Sequence, residues 1–178
     1  MYKAKQTVVA RLLTFFLLLL MQCPLLGIMS KALAINIPRE HIFVFERNTN
    51  TNYVCYDINL KDGKLNQKEP LKTYWVLGHE TRIEGLTFLD RKMAFGVKVV
   101  KATDDEAVVH LTAYKGLNIR LCKRGGKWVG IVKIGGHEII LQKMFAQMKP
   151  PVNARCEYVE VIGTDLKTGE KRTERINP

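Results

Sequence analysis

Seven side chains between residues 46 and 91 are of the types that bind a small polar or anionic ligand. Aromatic rings stack on the apolar parts of such a ligand, while carboxylates and guanidinium groups hold its polar or charged groups. We therefore predict that these side chains converge on one concave pocket, and their distribution over separate faces would count against the hypothesis. The simpler interpretation is that the aromatics are ordinary strand residues and that the charges are solvated. The seven residues are Glu46, Arg47, Tyr56, Asp57, Tyr74, Trp75 and Arg91.

Catalysis is the alternative to binding or to interaction with a partner, and we rank it last. Glu46 and Asp57 would act as acid and base of a hydrolytic enzyme, which requires the two carboxylates roughly 5 to 10 Å apart in a cleft. A cysteine nucleophile paired with a histidine is a further alternative. Serine catalysis is excluded in the domain, because the only serine, Ser30, lies in the N-terminal segment. The available thiols and imidazoles are Cys55, Cys122, Cys156, His41, His79, His110 and His137.

The sequence predicts no cofactor and no metal. The histidines form no zinc motif, and no two of these three cysteines are separated by two to four residues. The glycine pairs at 125–126 and 135–136 lie between predicted strands, so they form tight turns rather than phosphate-binding loops. An oxidising compartment would allow one disulfide and one free thiol among the three cysteines, in any of three pairings.

A basic patch is the second candidate surface. Residues 107–137 contain no acidic residue, and Arg120, Lys123, Arg124 and Lys127 are concentrated there. Such a patch attracts anionic partners, and for an exported protein we favour an envelope component or another protein over nucleic acid. The simpler interpretation is that these cations keep exposed strands from pairing with other chains.

The first 34 residues have the pattern of a secretory signal peptide. Lys3, Lys5 and Arg11 precede an apolar run over 12–21, and small residues at 32–34 suit a signal peptidase. The run is shorter than the ~20 residues of a membrane-spanning helix, so an uncleaved N-terminal anchor is the second interpretation. We predict a signal peptide over 1–34 and one domain over 35–178, located in the periplasm or outer envelope, with no transmembrane segment after cleavage. Cleavage would leave 24 cationic against 17 acidic residues.

Glycine-containing turns divide the domain into β-prone runs. They predict an all-β fold with a minor helix, either an antiparallel sandwich or a small partly closed barrel of about 8–10 strands. Two-residue loops at both glycine pairs place Leu121 opposite Gly130, and Val132 opposite both Ile119 and Ile139, on one apolar face. This agreement predicts a three-stranded meander. The predicted strands are 41–47, 52–59, 72–78, 94–101, 106–115, 117–123, 127–134, 137–144, 156–163 and 170–175.

One segment departs from the β pattern. Thr81 and Glu84 have the spacing of a capping box, and Leu86, Leu89 and Met93 recur at helical intervals. We predict one short helix near residues 82–93.

These motifs occur in an order that resembles a known family. The pattern F-x-F-E-R-x-x-N from Phe43, followed by Tyr56-Asp57, Tyr74-Trp75 and the run 91–99, is similar to that of small exported bacterial proteins known as a domain of unknown function. The family is found largely in Bacteroidetes-type bacteria. The resemblance spans residues 41–170 and implies a single domain, without implying an activity, a ligand or a catalytic residue.

Overall fold

Alternation of apolar and polar side chains makes most of the described chain extended. The structure is a computed structural model that describes residues 41–78, 82–150 and 155–177. The predicted leader, His79 and Thr81 lie outside these ranges. A short helix, α1 (Phe88–Asp90), continues into a π-helical turn (Arg91–Phe95). The strands are β1 (His41–Arg47), β2 (Tyr53–Ile58), β3 (Leu60–Lys61), β4 (Lys64–Leu65), β5 (Leu71–Leu77), β6 (Arg82–Gly85), β7 (Val97–Ala102), β8 (Glu106–Leu111), β9 (Tyr114–Arg124), β10 (Lys127–Ile134), β11 (His137–Met148), β12 (Cys156–Asp165) and β13 (Lys171–Ile176).

One long, curled sheet forms a half-barrel and contains eleven of the strands. Its path is β6-β5-β2-β1-β11-β10-β9-β8-β7, and β12 pairs with β11 and β13. β11 is long enough for one of its edges to serve two neighbours, since its start pairs with β10 and its residues 143–146 pair with β1. The predicted all-β class with a minor helix is confirmed.

Three details of the predicted fold are corrected. β1 and β11 pair in parallel, whereas the sequence predicted only antiparallel neighbours. This pair joins strands almost 100 residues apart, and no local turn signal encodes it. The described residues also contain more strands than predicted, because β3 and β4 form a two-residue hairpin at Asp62-Gly63 and β6 adds an edge.

The third correction concerns the helix. The predicted helix near 82–93 is wrong at its start, because Arg82–Gly85 is a strand in which Ile83 pairs with Val76. The helix begins after Thr87, whose side chain accepts from Asp90 N while the Asp90 carboxylate accepts from Thr87 N. The capping box therefore lies six residues later than the one predicted from Thr81 and Glu84.

The predicted meander is confirmed in its register. Leu121 pairs with Gly130, Ile119 with Val132, and Val132 with Ile139. Lys133 lies opposite Glu138, and the Glu138 carboxylate contacts Arg120 at 3.4 Å.

The two faces of the sheet differ sharply in character. We call the inner face the side whose residues form the core, and the outer face the opposite side. On the inner face the rings of Phe43 and Tyr56 are stacked with centroids 4.2 Å apart, and they are 1% and 0% exposed. The Tyr56 hydroxyl donates to the carbonyl of Phe95 at 3.0 Å, which ties the π-helical turn to the sheet. In the described ranges no helix has the length and apolar character needed to span a bilayer.

Candidate functional site

The inner face contains a cavity of about 480 Å³, between the sheet and α1 with its π-helical turn. Its size falls within the ~300–1,000 Å³ of typical small-molecule sites. Among the described residues that line it, only Arg47 and Asp90 carry a charge. The apolar part of the wall includes Phe45, Phe95, Met144, Met148, Val159 and Ile176.

Arg47 is the polar group of this cavity that its own fold leaves unsatisfied. As the last residue of β1, it follows Phe43 and Phe45 on the inner face, because alternate strand residues share a side. Its guanidinium carbon lies 5.3 Å from the ring centroid of Trp75 and 5.6 Å from that of Phe95. The Nε atom is buried and has no hydrogen-bond partner in the described part of the chain. A buried charged donor without a partner destabilises the folded state and so lowers the free energy of unfolding.

Asp90 is close to Arg47 but is engaged by its own turn. Its Oδ2 atom accepts from Thr87 N at 3.0 Å, Thr87 Oγ1 at 2.8 Å and Trp75 Nε1 at 3.3 Å. Burial alone would raise the pKa of Asp90, but these hydrogen bonds and the charge of Arg47 hold the pKa below its usual value. Asp90 therefore supplies a nearby negative charge, while the buried Nε of Arg47 has no hydrogen-bond partner among the described residues.

This geometry can hold an elongated apolar molecule with an anionic end. The apolar wall removes hydrocarbon from water, and the guanidinium supplies paired N–H donors that match a carboxylate. The aromatic rings of Trp75 and Phe95 fix the guanidinium on one side, so its position is set before a ligand binds.

A second cluster lies on the outer face, behind the same strands. His41 Nδ1 contacts Asp57 Oδ1 at 2.5 Å, and the Tyr74 hydroxyl donates to Asp57 Oδ2 at 2.7 Å. Cys55 Sγ lies 3.6 Å from His41 Nε2. A carboxylate only accepts, so His41 donates from Nδ1 and its Nε2 is left to accept from the thiol.

The outer cluster has the order of a thiol nucleophile, a base and an orienting acid. The sequence named His41 and Cys55 among its alternatives, and the structure brings this pair together. However, Cys55 is 0% exposed, and burial with the charge of Asp57 raises the pKa of its thiol to about 12. The thiol is therefore protonated at neutral pH and closed to a substrate, and we interpret the cluster as structural.

Six of the seven residues predicted as one site divide between the two faces of the sheet. Arg47, Tyr56 and Trp75 lie on the inner face with the core. Asp57 and Tyr74 lie on the outer face, and Glu46 lies there as well, in contact with Lys143 at 3.0 Å. The strand period of two causes this separation, because neighbours in sequence such as Glu46 and Arg47 point to opposite sides.

The seventh residue, Arg91, lies elsewhere. It lines a separate cleft of about 470 Å³ together with Lys68, Lys92 and Lys98. The predicted convergence on one pocket is thus not what the structure shows, and a ligand role for each residue stays a prediction.

The carboxylate pair proposed for hydrolysis is far apart along the sheet. Val44 pairs with Cys55 and Phe45 with Val54, so Glu46 lies beside Tyr53. Tyr53 is four residues from Asp57, which corresponds to roughly 13 Å of strand. That separation exceeds the range over which two carboxylates act on one glycosidic bond.

The predicted basic patch lies along the β9–β10 hairpin. Arg124 pairs with Lys127 across the turn, and Lys123 Nζ lies 5.3 Å from the ring centroid of Trp128. Arg120 and Lys123 are an odd number of residues apart and therefore point to opposite faces. The patch is consequently divided between two surfaces, and its partner role stays a prediction.

Cys55, Cys122 and Cys156 are all free thiols. No group of three or more metal-ligating side chains occurs within residues 41–78, 82–150 and 155–177.

Sequence reasoning missed most of the cavity wall. Met144 and Met148 on β11, Val159 on β12 and Ile176 on β13 come from the C-terminal half. Their alternation with polar residues marks them as inward-facing. They lie near Arg47 because β1 pairs with β11 in parallel, and no local sequence signal predicts that pairing.

The fold and the cavity define a class: a curled, all-β domain with a ligand-sized apolar cavity on its inner face. The chain belongs to the family described as "Domain of unknown function (DUF4833)", whose sequence pattern matches residues 43–175. No curated protein and no solved structure gives a significant match to it.

Proposed function

We propose that this protein is a non-catalytic binding domain, exported to the cell envelope, whose inner cavity holds an amphipathic carboxylate. The observation that carries the proposal is the guanidinium of Arg47, which borders an otherwise apolar cavity and has a buried Nε without a hydrogen-bond partner among the described residues. A carboxylate supplies the missing acceptors, and its hydrocarbon chain fills the apolar volume. Binding would thus satisfy a group that folding leaves unsatisfied.

An anion suits this cavity better than a neutral polar group. A hydrogen bond between two charged groups contributes more than one between neutral groups, and the apolar surroundings strengthen it. The Asp90 carboxylate is the only anionic group among the described lining residues, and it already accepts three hydrogen bonds, so it is a poor partner for an ammonium ligand. A cationic ligand would also meet the charge of Arg47. We therefore expect the order of affinity to be carboxylate, then alcohol, then amine.

Calorimetric titration with dodecanoate, dodecanol and dodecylamine tests the proposal. The wild-type domain should bind dodecanoate most tightly, and Arg47→Met should weaken dodecanoate binding by about 10- to 100-fold, the value of a charged hydrogen bond. Dodecanol affinity should be nearly unchanged in that variant. Decanoate should bind roughly fifteen-fold more weakly than dodecanoate, since each buried CH₂ contributes about 0.8 kcal/mol.

The matched control is Arg175→Met. Arg175 also stacks on an aromatic ring, with its guanidinium carbon 3.8 Å from the Tyr158 centroid, but it lies on the outer face with Glu160 as its partner. Its replacement should leave dodecanoate affinity unchanged. Equal affinities for dodecanoate and dodecanol, or equal losses in the two arginine variants, would contradict the proposed role of Arg47.

The export part of the proposal has its own test. It is supported by the charged start, the apolar run and the small residues that end at Ala34. Mass spectrometry of the native protein from the envelope fraction should give Ile35 as the first residue, together with any co-purified carboxylate. An unprocessed chain recovered from the cytosol would contradict export.

A further inference from the structure

α1 and its π-helical turn present large apolar side chains to solvent. Phe88, Leu89 and Met93 are 73%, 64% and 71% exposed. They lie within six residues of one another on one short helical segment, and we call these three exposed side chains the apolar tip. Contiguous exposed apolar side chains mark a contact surface more often than single ones do.

Cations surround the apolar tip. Arg91 and Lys92 belong to the same turn, and Lys92 Nζ lies 5.7 Å from the Phe88 ring centroid. Phe88 also borders the cleft that Lys68 and Lys98 line. The acids close to the tip are already engaged, because Asp90 caps the helix and Glu69 lies 3.6 Å from Arg91. The surface therefore combines exposed hydrocarbon with an excess of positive charge.

We propose that the apolar tip docks on an anionic lipid bilayer. Phe88, Leu89 and Met93 would enter the boundary between headgroups and acyl chains, while the lysines contact anionic headgroups. Charge complementarity selects this partner, because Glu69 already faces Arg91 and a neutral apolar surface would leave Lys68, Lys92 and Lys98 without a counter-charge from the described residues. Leu89 and Met93 also line the inner cavity, so the docked tip places the cavity wall against the bilayer.

Vesicle co-sedimentation tests this docking. The domain should sediment with phosphatidylcholine vesicles that contain about 25% phosphatidylglycerol and should stay in solution with phosphatidylcholine alone. Phe88→Asp should weaken the binding at least about ten-fold, because a charge then replaces the most exposed ring. This substitution puts an acid into the first turn of a helix, where it is compatible with the fold. Raising the salt concentration to about 0.5 M should release the protein.

Ile83→Asp is the matched control, since Ile83 is 51% exposed on β6, outside the tip. It should bind vesicles as the wild type does. Arg47→Met should also bind normally, so a failure of docking and a failure of ligand binding are distinguishable. Equal vesicle binding by Phe88→Asp and wild type, or no sedimentation with anionic vesicles, would overturn the proposal.

Discussion

Around β1, the two faces of the curled sheet differ in how their charged side chains are partnered. On the outer face three carboxylates have partners: Asp57 contacts His41 and Tyr74, Glu46 contacts Lys143, and Glu160 contacts Arg175. On the inner face Arg47 stacks on two aromatic rings, and its buried Nε has no acceptor in the described ranges. The same β1 strand carries both Glu46 and Arg47, so the difference arises from the face and not from the strand.

This difference separates charged groups that the folded chain satisfies from one, Arg47, whose buried Nε it does not satisfy within the described ranges. Ion pairs on a half-exposed face contribute little each, but they leave no group unsatisfied. A buried guanidinium Nε without an acceptor beside an apolar cavity opposes folding, and an apolar side chain at this position avoids that cost. Arg47 is therefore the residue whose presence the fold alone does not explain.

The largest expected contrast between the faces is in packing. Phe43→Ala removes a ring that is 1% exposed and stacked on Tyr56, so it should lower the free energy of unfolding by about 3–5 kcal/mol. Phe145→Ala removes a half-buried ring of the outer face and should cost less than about 2 kcal/mol. Urea unfolding of both variants measures the difference. Equal losses would show that the core does not lie on the inner face alone.

The next contrast concerns the outer cluster. Asp57→Ala leaves the His41 ring and the Tyr74 hydroxyl without their acceptor, and it should lower the free energy of unfolding by about 1–3 kcal/mol. Its effect should be local, with dodecanoate affinity unchanged. A loss of dodecanoate binding in this variant would show that the two faces are coupled.

The thiol of Cys55 gives the comparison a pH dependence. Its pKa is raised from 9.0 to about 12 in the folded chain, so the unfolded chain loses the thiol proton at a lower pH than the folded chain does. The free energy of unfolding is therefore unaffected by this group below pH 9 and falls as the pH rises from 9 towards 12. Urea unfolding at a series of alkaline pH values should show a smaller loss for Cys55→Ala than for wild type. Identical pH profiles would contradict the burial of this thiol. Native iodoacetamide labelling at pH 8 should likewise modify the partly exposed Cys156 and spare Cys55.

The smallest effect is expected for an isolated pair of the outer face. Glu46→Gln removes the contact with Lys143 between two side chains that are 38% and 36% exposed. The free energy of unfolding should fall by less than about 1 kcal/mol, with a difference that shrinks in high salt. A larger, salt-independent loss would mean that the outer face is less hydrated than its exposure indicates.

Local patterns in the sequence were enough to predict much of the fold. Two-residue glycine loops fix the register of the β9–β10–β11 meander, and alternation identifies its apolar face. The helix was placed too early, because Glu84 pairs across from Trp75 in a strand although its spacing from Thr81 matches a capping box. Pairing with β5 outweighed that local signal.

The candidate site was only partly predictable. Arg47 and Trp75 were named from their types, and they do share one face. Their grouping with Glu46, Asp57 and Tyr74 failed because the strand period assigns those residues to the other face. The cavity itself depends on Met144 and its neighbours on β11, and their approach to β1 is a long-range contact that no local motif specifies.

The most direct test of the central claim is the stability of Arg47→Met in the absence of any ligand, measured by urea unfolding beside wild type and Arg175→Met. If Arg47 is kept for a ligand and not for the fold, Arg47→Met should be at least as stable as wild type. At one dodecanoate concentration, its unfolding midpoint should rise less than those of wild type and Arg175→Met. A loss of about 1 kcal/mol or more in Arg47→Met, with Arg175→Met unaffected, would show that Arg47 supports the fold and would contradict the account.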